Sequence, residues 1–153
     1  MAFEPLDLAE WVTRLRGRVD GCRAIELAAS KDLVKEFGKV APAVYVLTQQ
    51  GRATSVATAN AAHGLIRQRL AVRVRVAMVC HRVGDALGGK AVDALRNLRV
   101  QVWDALIGWM PPGAFNSIAI DSYEDGDPAS AFLYGVDTFY VELEARKRED
   151  LTP

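Results

Sequence analysis

Side chains alternate between polar and apolar over a run of sixteen residues, from Arg67 to Arg82. A period of two is typical of a β-strand with one polar face and one buried face. The polar face starts with four arginines, Arg67, Arg69, Arg73 and Arg75, whereas the other face carries Leu, Val, Met and Cys. An unbroken strand of this length spans roughly 50 Å, at about 3.3 Å per residue. A chain of 153 residues folds into a globule roughly 40 Å across. The pattern therefore predicts a strand that crosses the domain and projects from it as an arm, which is a shape suited to an assembly subunit.

Two other segments repeat their apolar residues at helical spacing. The first follows Asp7, a residue type that caps helix N-termini, and continues to Val19. The second runs from Ala91 to Trp109, where a Pro-Pro-Gly sequence is expected to stop it. Both segments are predicted to be amphipathic helices.

The remaining apolar runs predict strands at 22–28, 43–48, 117–122 and 132–146, in addition to the long strand. The stretch 49–64 is small, polar and without period, and is expected to be a structureless loop that precedes the arm. The acidic stretch 124–128 is expected to be a turn.

The order α-β-β-β-α-β-β predicts a single α+β domain over residues 1–153, with a frayed C-terminal tail from about 147 to 153. Both helices are expected on one face of a mostly antiparallel β-sheet that includes the long β-arm or hairpin.

The charges of the chain cancel overall but are unevenly placed. Residues 64–102 hold eight basic side chains against two acidic ones, and residues 121–150 hold nine acidic side chains against three basic ones. Two interpretations remain open: the segments neutralise each other within one fold, or they meet between copies of the subunit.

Candidate chemistry is sparse. The histidines His63 and His81 have no neighbouring nucleophile arrangement, and the acidic stretch 121–127 lacks the ligand spacing of a calcium loop. Cys22 and Cys80 have no metal or redox spacing, which favours a reducing compartment. No signal peptide or membrane span is predicted. We therefore expect no enzyme activity, no cofactor, no metal site and no membrane partner.

The arginine face has three interpretations. It could bind nucleic acid through Arg67 to Arg75, although no aromatic residue in the run supplies stacking. It could be a solvated face that discourages aggregation. It could form an ion-paired interface between subunits, because arginine favours carboxylate partners and the last strand is rich in them. The candidate interface residues are Arg67, Arg69, Arg73, Arg75, Asp137, Glu142, Glu144 and Trp103.

Several segments resemble the phage tail terminator family. The N-terminal helix leads into a short strand of small residues over 19–29, and Pro42-Ala-Val-Tyr-Val-Leu47 precedes the small polar loop. The sharpest piece is Ala105-Leu-Ile-Gly-Trp-Met-Pro-Pro-Gly113, which is similar to the family's helix end, and Asp137-Thr-Phe139 is similar to its last strand.

The resemblance implies a structural virion protein of the tail or neck, assembled in the host cytoplasm. It implies a subunit of a hexameric ring that caps the head-proximal end of the tail tube and joins it to the head connector. The implied partners are other copies of the chain, the tail tube protein, the connector or stopper protein and, transiently, passing DNA. Two alternatives stay open: another neck subunit such as a stopper, or a nucleic-acid-binding module.

Overall fold

The computed structural model describes residues 5–29, 41–56, 58–60, 65–81, 89–126 and 132–148. Within these ranges two helices and six strands follow one another, and the fold is α+β as the sequence predicts. In chain order they are α1 (Leu8–Arg18), β1 (Ala24–Leu27), β2 (Ala43–Ala53), β3 (Thr58–Asn60), β4 (Leu65–His81), α2 (Gly89–Leu106), β5 (Ala119–Asp125) and β6 (Phe132–Arg148).

The strands form one sheet in the order β1-β2-β4-β6-β5, with β3 paired to β4 outside this path. The β1–β2 pair is parallel, and the other pairs are antiparallel. Strands β4 and β6 pair over their full lengths, from Leu65 opposite Arg148 to His81 opposite Phe132. The two longest strands therefore form a central ladder that the other strands extend on both sides.

Both helices pack on one face of this sheet, as predicted. Alternate residues of β4 and β6 point toward the helices because side chains alternate across a strand. They meet the buried stripes of α1 and α2 in the main core. Its members include Trp11, Leu15, Val72, Val74, Val76, Met78, Leu95, Val102, Leu106, Phe139 and Val141.

Helix α1 begins where the sequence predicts. The carboxylate of Asp7 accepts a hydrogen bond from the Ala9 backbone N–H at 3.0 Å, which satisfies one of the donors left open at a helix start. Helix α2, by contrast, ends at Leu106 rather than Trp109. Gly108 has a φ of +87°, so the chain leaves the helix before it reaches the prolines. Trp109 still packs edge-on against Trp11, with ring centroids 6.1 Å apart.

The predicted loop over 49–64 is wrong in two places. Strand β2 continues to Ala53, and residues 58–60 form β3. A bulge between Val46 and Gln49 lets β2 stay paired with β4 despite its irregular sequence. Backbone pairing to a long neighbouring strand thus overrides the missing side-chain period. Residues 57 and 61–64, including His63, lie outside the described residues.

Two smaller boundaries also differ. Glu124 and Asp125 belong to β5 rather than to a turn, because they pair with β6 opposite Val136 and Gly135. Residues 147 and 148 belong to β6 rather than to a frayed tail, because they pair with the start of β4. Residues 149–153 lie outside the described residues.

Candidate assembly interface

The long strand has the two faces that the sequence predicts. One face of the sheet packs on the helices, and we call the other the open face. Arg67, Arg69, Arg73 and Arg75 lie on the open face, since their neighbours in β4 are core residues. The open face also carries a second apolar cluster, at the end of the sheet that lies away from Arg67. Its buried members are Ala41, Ala43, Tyr45, Leu47, Ala77 and Val79.

At one end of the sheet, β2 and β4 become exposed, whereas Leu143 and Ala145 of β6 stay buried. The first five residues of β2 are buried and the last six are not. In β4, residues 66–70 are partly or fully exposed, whereas nearly all of residues 71–80 are buried. We call residues 49–53, 65–70 and 143–148 the distal arm. With seventeen residues, β4 spans about 56 Å at 3.3 Å per residue.

Three of the four open-face arginines contact side chains of their own subunit. The Nε atom of Arg67 lies 3.8 Å from the Glu144 carboxylate, and the Nε atom of Arg73 lies 3.3 Å from the Asp121 carboxylate. The Arg69 guanidinium lies 4.1 Å from the centroid of the Phe115 ring. These side chains are partly exposed, so each contact adds little to stability.

Aromatic rings do lie on the open face, although none occurs in the arginine run itself. Arg73 sits above the Tyr140 ring at 5.5 Å, and Arg69 covers Phe115. Neighbouring segments supply these rings, so a single strand's sequence could not reveal them. Because arginines of the same subunit already cover them, the two rings are not bare stacking platforms for bases.

Glu142 fastens the segment after α2 to β6. Its carboxylate accepts hydrogen bonds from the Tyr140 hydroxyl at 2.9 Å and from the Asn116 amide at 3.2 Å. Its backbone N–H donates to the Asn116 side-chain oxygen at 2.9 Å. The hydrogen bond to Glu142, with some burial, raises the pKa of Tyr140. The Glu142 carboxylate is therefore already engaged inside the subunit.

Asp137 lies on the helix face, and sequence reasoning missed its partner, Arg99. Asp137 is fully buried, and its carboxylate accepts hydrogen bonds from the Arg99 guanidinium at 2.9 to 3.1 Å and from the Trp103 indole at 2.7 Å. Arg99 also contacts Asp125 at 2.8 Å. Burial would lower the pKa of Arg99, but the hydrogen bonds to the two carboxylates outweigh it and raise that pKa.

This cluster removes Asp137 from the accessible surface and turns the Trp103 indole N–H inward. A signal was present in the sequence: Asp137 continues the alternation of Phe139, Val141 and Leu143, which predicts a buried carboxylate that needs a cation. A Cβ atom at Gly135 would collide with the Arg99 guanidinium, so the glycine makes room for this pair.

The four ion pairs between described residues all join the basic segment 64–102 to the acidic segment 121–150. Within the described part of the chain, Arg67, Arg73 and Arg99 of the basic segment therefore pair inside one subunit. On the open face of the distal arm, the described charged side chains are Arg52, Arg67 and Arg69 against Glu144, which leaves a basic surplus.

The described residues offer little else for chemistry. They contain no group of three or more His, Cys, Asp or Glu that could hold a metal ion. Burial, and to a smaller extent Cys22, raises the pKa of the Cys80 thiol to about 11, and neither cysteine is in a disulfide. Neither described helix has the length and apolarity needed to cross a membrane.

The long β4–β6 ladder and the arginines of its open face are the main features of the described residues. The family model described as "Phage tail terminator protein" matches residues 1–149. The chain belongs to the phage tail terminator family. This membership supports a structural role in the phage tail, and with it a place in the virion tail. A search of curated proteins finds no match to the chain.

Proposed function

We propose that the protein is the subunit of a hexameric ring that caps the head-proximal end of the tail tube and joins it to the head connector. The observation that carries this proposal is the family match over residues 1–149. Its partners are then other copies of the chain, the tail tube protein and the connector or stopper protein. Assembly takes place in the host cytoplasm before the tail joins the head.

The open face and the distal arm are the surfaces we assign to contacts between subunits. Arg67, Arg69, Arg73 and Arg75 all lie there, and the Arg67 side chain keeps about half of its surface exposed (51%). Val56 beside the arm is 82% exposed, which leaves an apolar side chain that a neighbouring subunit can cover.

The acidic candidates have different roles in this proposal. Glu142 and Glu144 lie on β6 directly beside the arginines, so they shape the charge of the open face. Asp137 and Trp103 act indirectly, because they fix α2 against β6 and so position the strand that carries the interface. Such an arrangement separates residues that hold the subunit together from residues that meet a neighbour.

Native mass spectrometry and light scattering at rising protein concentration test this function. We expect a species about six times the subunit mass of 16.7 kDa, either alone or after purified tail tubes are added. Electron microscopy should then show it at one end of the tubes. A chain that stays monomeric at high concentration and ignores the tubes contradicts the proposal, and density in the stopper position of the neck favours the alternative.

A second candidate function is DNA binding by the arginine face of β4, Arg67 to Arg75, which begins in the distal arm. The basic surplus at the arm favours it, since phosphate contacts rely on Lys and Arg. Passing DNA could contact such an arm transiently. This candidate predicts DNA affinity that falls steeply with salt and weakens in Arg73→Ala and Arg75→Ala. No measurable binding at low salt excludes it.

A further inference from the structure

Arg75 differs from the other arginines of the open face. Among the described residues it has no hydrogen bond and no ion pair, and its Nε atom is buried without a partner. Arg67 and Arg73 each pair with a carboxylate, and Arg69 covers an aromatic ring. A buried guanidinium N–H without an acceptor costs stability, and native proteins seldom leave one unmatched. Within the described part of the chain, Arg75 is therefore the open-face arginine that has neither a carboxylate partner nor an aromatic ring beneath it.

Two clefts flank this side chain. The first has a volume of about 260 Å³ and lies between Arg75, β5 and β6. The second has a volume of about 300 Å³ and lies between Arg75, the middle of β2 and the start of β5. Polar groups that can donate hydrogen bonds line the second cleft. They are Thr48, Gln50, Arg73, Arg75, Ser122 and Thr138.

We infer that Arg75 binds a carboxylate side chain of a second copy of this chain. The guanidinium presents its N–H groups as a planar fork that matches a carboxylate, and the hydroxyl and amide groups beside it can complete the hydrogen bonds. This inference rests on the proposed ring and deepens it, because it names the one arginine that bonds to the neighbour.

The surroundings favour a single carboxylate over DNA. Asp121 lines the second cleft and Glu124 lines the first, so both clefts already hold negative charge close to Arg75. A polyanion would be repelled by these side chains, whereas one carboxylate can approach between them. The neutral charge of the whole chain also means that each copy carries as many acidic side chains as basic ones.

Glu124 of the same subunit is the competing partner. It lines the first cleft with Arg75, but no ion pair joins them. If Glu124 were the partner of Arg75, then removing either charge would change ring assembly in the same way. Glu124→Gln is therefore a matched control for Arg75→Gln.

The experiment measures ring assembly by native mass spectrometry and monomer stability by urea denaturation, on the full chain. We expect Arg75→Gln to raise the concentration for half-assembly at least about tenfold, as expected when a hydrogen-bonded interfacial charge loses its partner. We expect its urea midpoint to match or exceed that of the wild type. Arg75→Lys keeps the charge but loses the planar fork of N–H groups. Its concentration for half-assembly should therefore lie between those of the wild type and Arg75→Gln. Arg73→Gln should change assembly less than about threefold, because Asp121 already occupies its guanidinium.

Three results overturn the inference. If Arg75→Gln forms rings as readily as the wild-type protein, the proposed ring stands and the role of Arg75 does not. If Glu124→Gln reproduces the assembly defect of Arg75→Gln, the partner belongs to the same subunit. If Arg75→Gln loses only its affinity for a DNA duplex, the ligand is phosphate. A wild-type chain that never assembles refutes the proposed ring itself, and the inference with it.

Discussion

Asp137 and Glu144 lie on the same strand and each faces an arginine, yet their surroundings differ. Asp137 is fully buried on the helix face, where Arg99 and Trp103 bind its carboxylate. Glu144 lies on the open face, where its side chain is 12% exposed and lies 3.8 Å from an Arg67 side chain that is 51% exposed. Removing one partner of a buried ion pair leaves an uncompensated charge, whereas water readily replaces an exposed partner.

Arginine–carboxylate pairs therefore have different roles on the two faces of the sheet. On the helix face an Arg–Asp pair holds α2 against the sheet. On the open face the arginines contribute little to the fold and stay accessible to a neighbouring subunit. Substitutions on the helix face should therefore change subunit stability more than substitutions on the open face.

Asp137→Ala should destabilise the subunit by about 3–5 kcal/mol, because it leaves Arg99 buried without its main partner. Urea denaturation followed by circular dichroism measures the change. Asp137→Asn should lose less, since the amide oxygen can still accept a hydrogen bond from Trp103. A loss below about 1 kcal/mol for Asp137→Ala would mean that the pair does not hold the helix face together.

Raising the pH should lower the free energy of unfolding through Cys80, which is buried in the core on the helix face. An unfolded thiol has a pKa of about 8.5, and burial raises the pKa of Cys80 to about 11 in the folded chain. The folded state then holds the proton more tightly, so this contribution is complete below pH 8.5 and is lost as the pH rises to 11. The loss amounts to about 3 kcal/mol. Denaturation midpoints across this range measure it, and Cys80→Ala should flatten the slope. An equal slope in the variant would assign the pH dependence to other groups.

Gly135→Ala should cost about 1–3 kcal/mol, because its Cβ would push the Arg99 guanidinium away from two carboxylates. Gly17→Ala is the matched control. Gly17 lies exposed in α1 with open space around it, so the same change there should stabilise by about 0.5–1 kcal/mol. Thermal melts of the two variants should shift in opposite directions, and a shift in the same direction would contradict the crowding at Gly135.

Glu144→Gln should change the stability of the subunit by less than about 1 kcal/mol, and the change should shrink further in high salt. Urea denaturation at low and high ionic strength measures both effects. A loss comparable to that of Asp137→Ala would show that the open face also holds the fold.

The sequence predicts the strand faces and the helix faces well, because periodicity reports which side of an element is buried. The alternation in β4 and the stripe of α2 are both present in the structure. Boundaries that depend on partners were predicted less well. Residues 49–53 form a strand because β4 runs beside them, and no local pattern signals that pairing.

In the candidate interface, too, features of a single strand could be predicted and contacts between distant segments could not. The accessible arginines could be predicted because they alternate with core residues along one strand. The partner of Asp137 could not, because Arg99 is 38 positions away in sequence and reaches the sheet from α2. The rings beneath Arg69 and Arg73 were missed for the same reason, since other segments supply them.

The double variant Arg73→Glu with Arg75→Glu tests most directly whether the open face serves assembly rather than folding. Circular dichroism and the urea midpoint report on the subunit, and native mass spectrometry with purified tail tubes reports on the ring. We predict a folded monomer with near wild-type stability that no longer assembles. A variant whose monomer is itself unfolded would show that these arginines hold the fold, and would contradict the account.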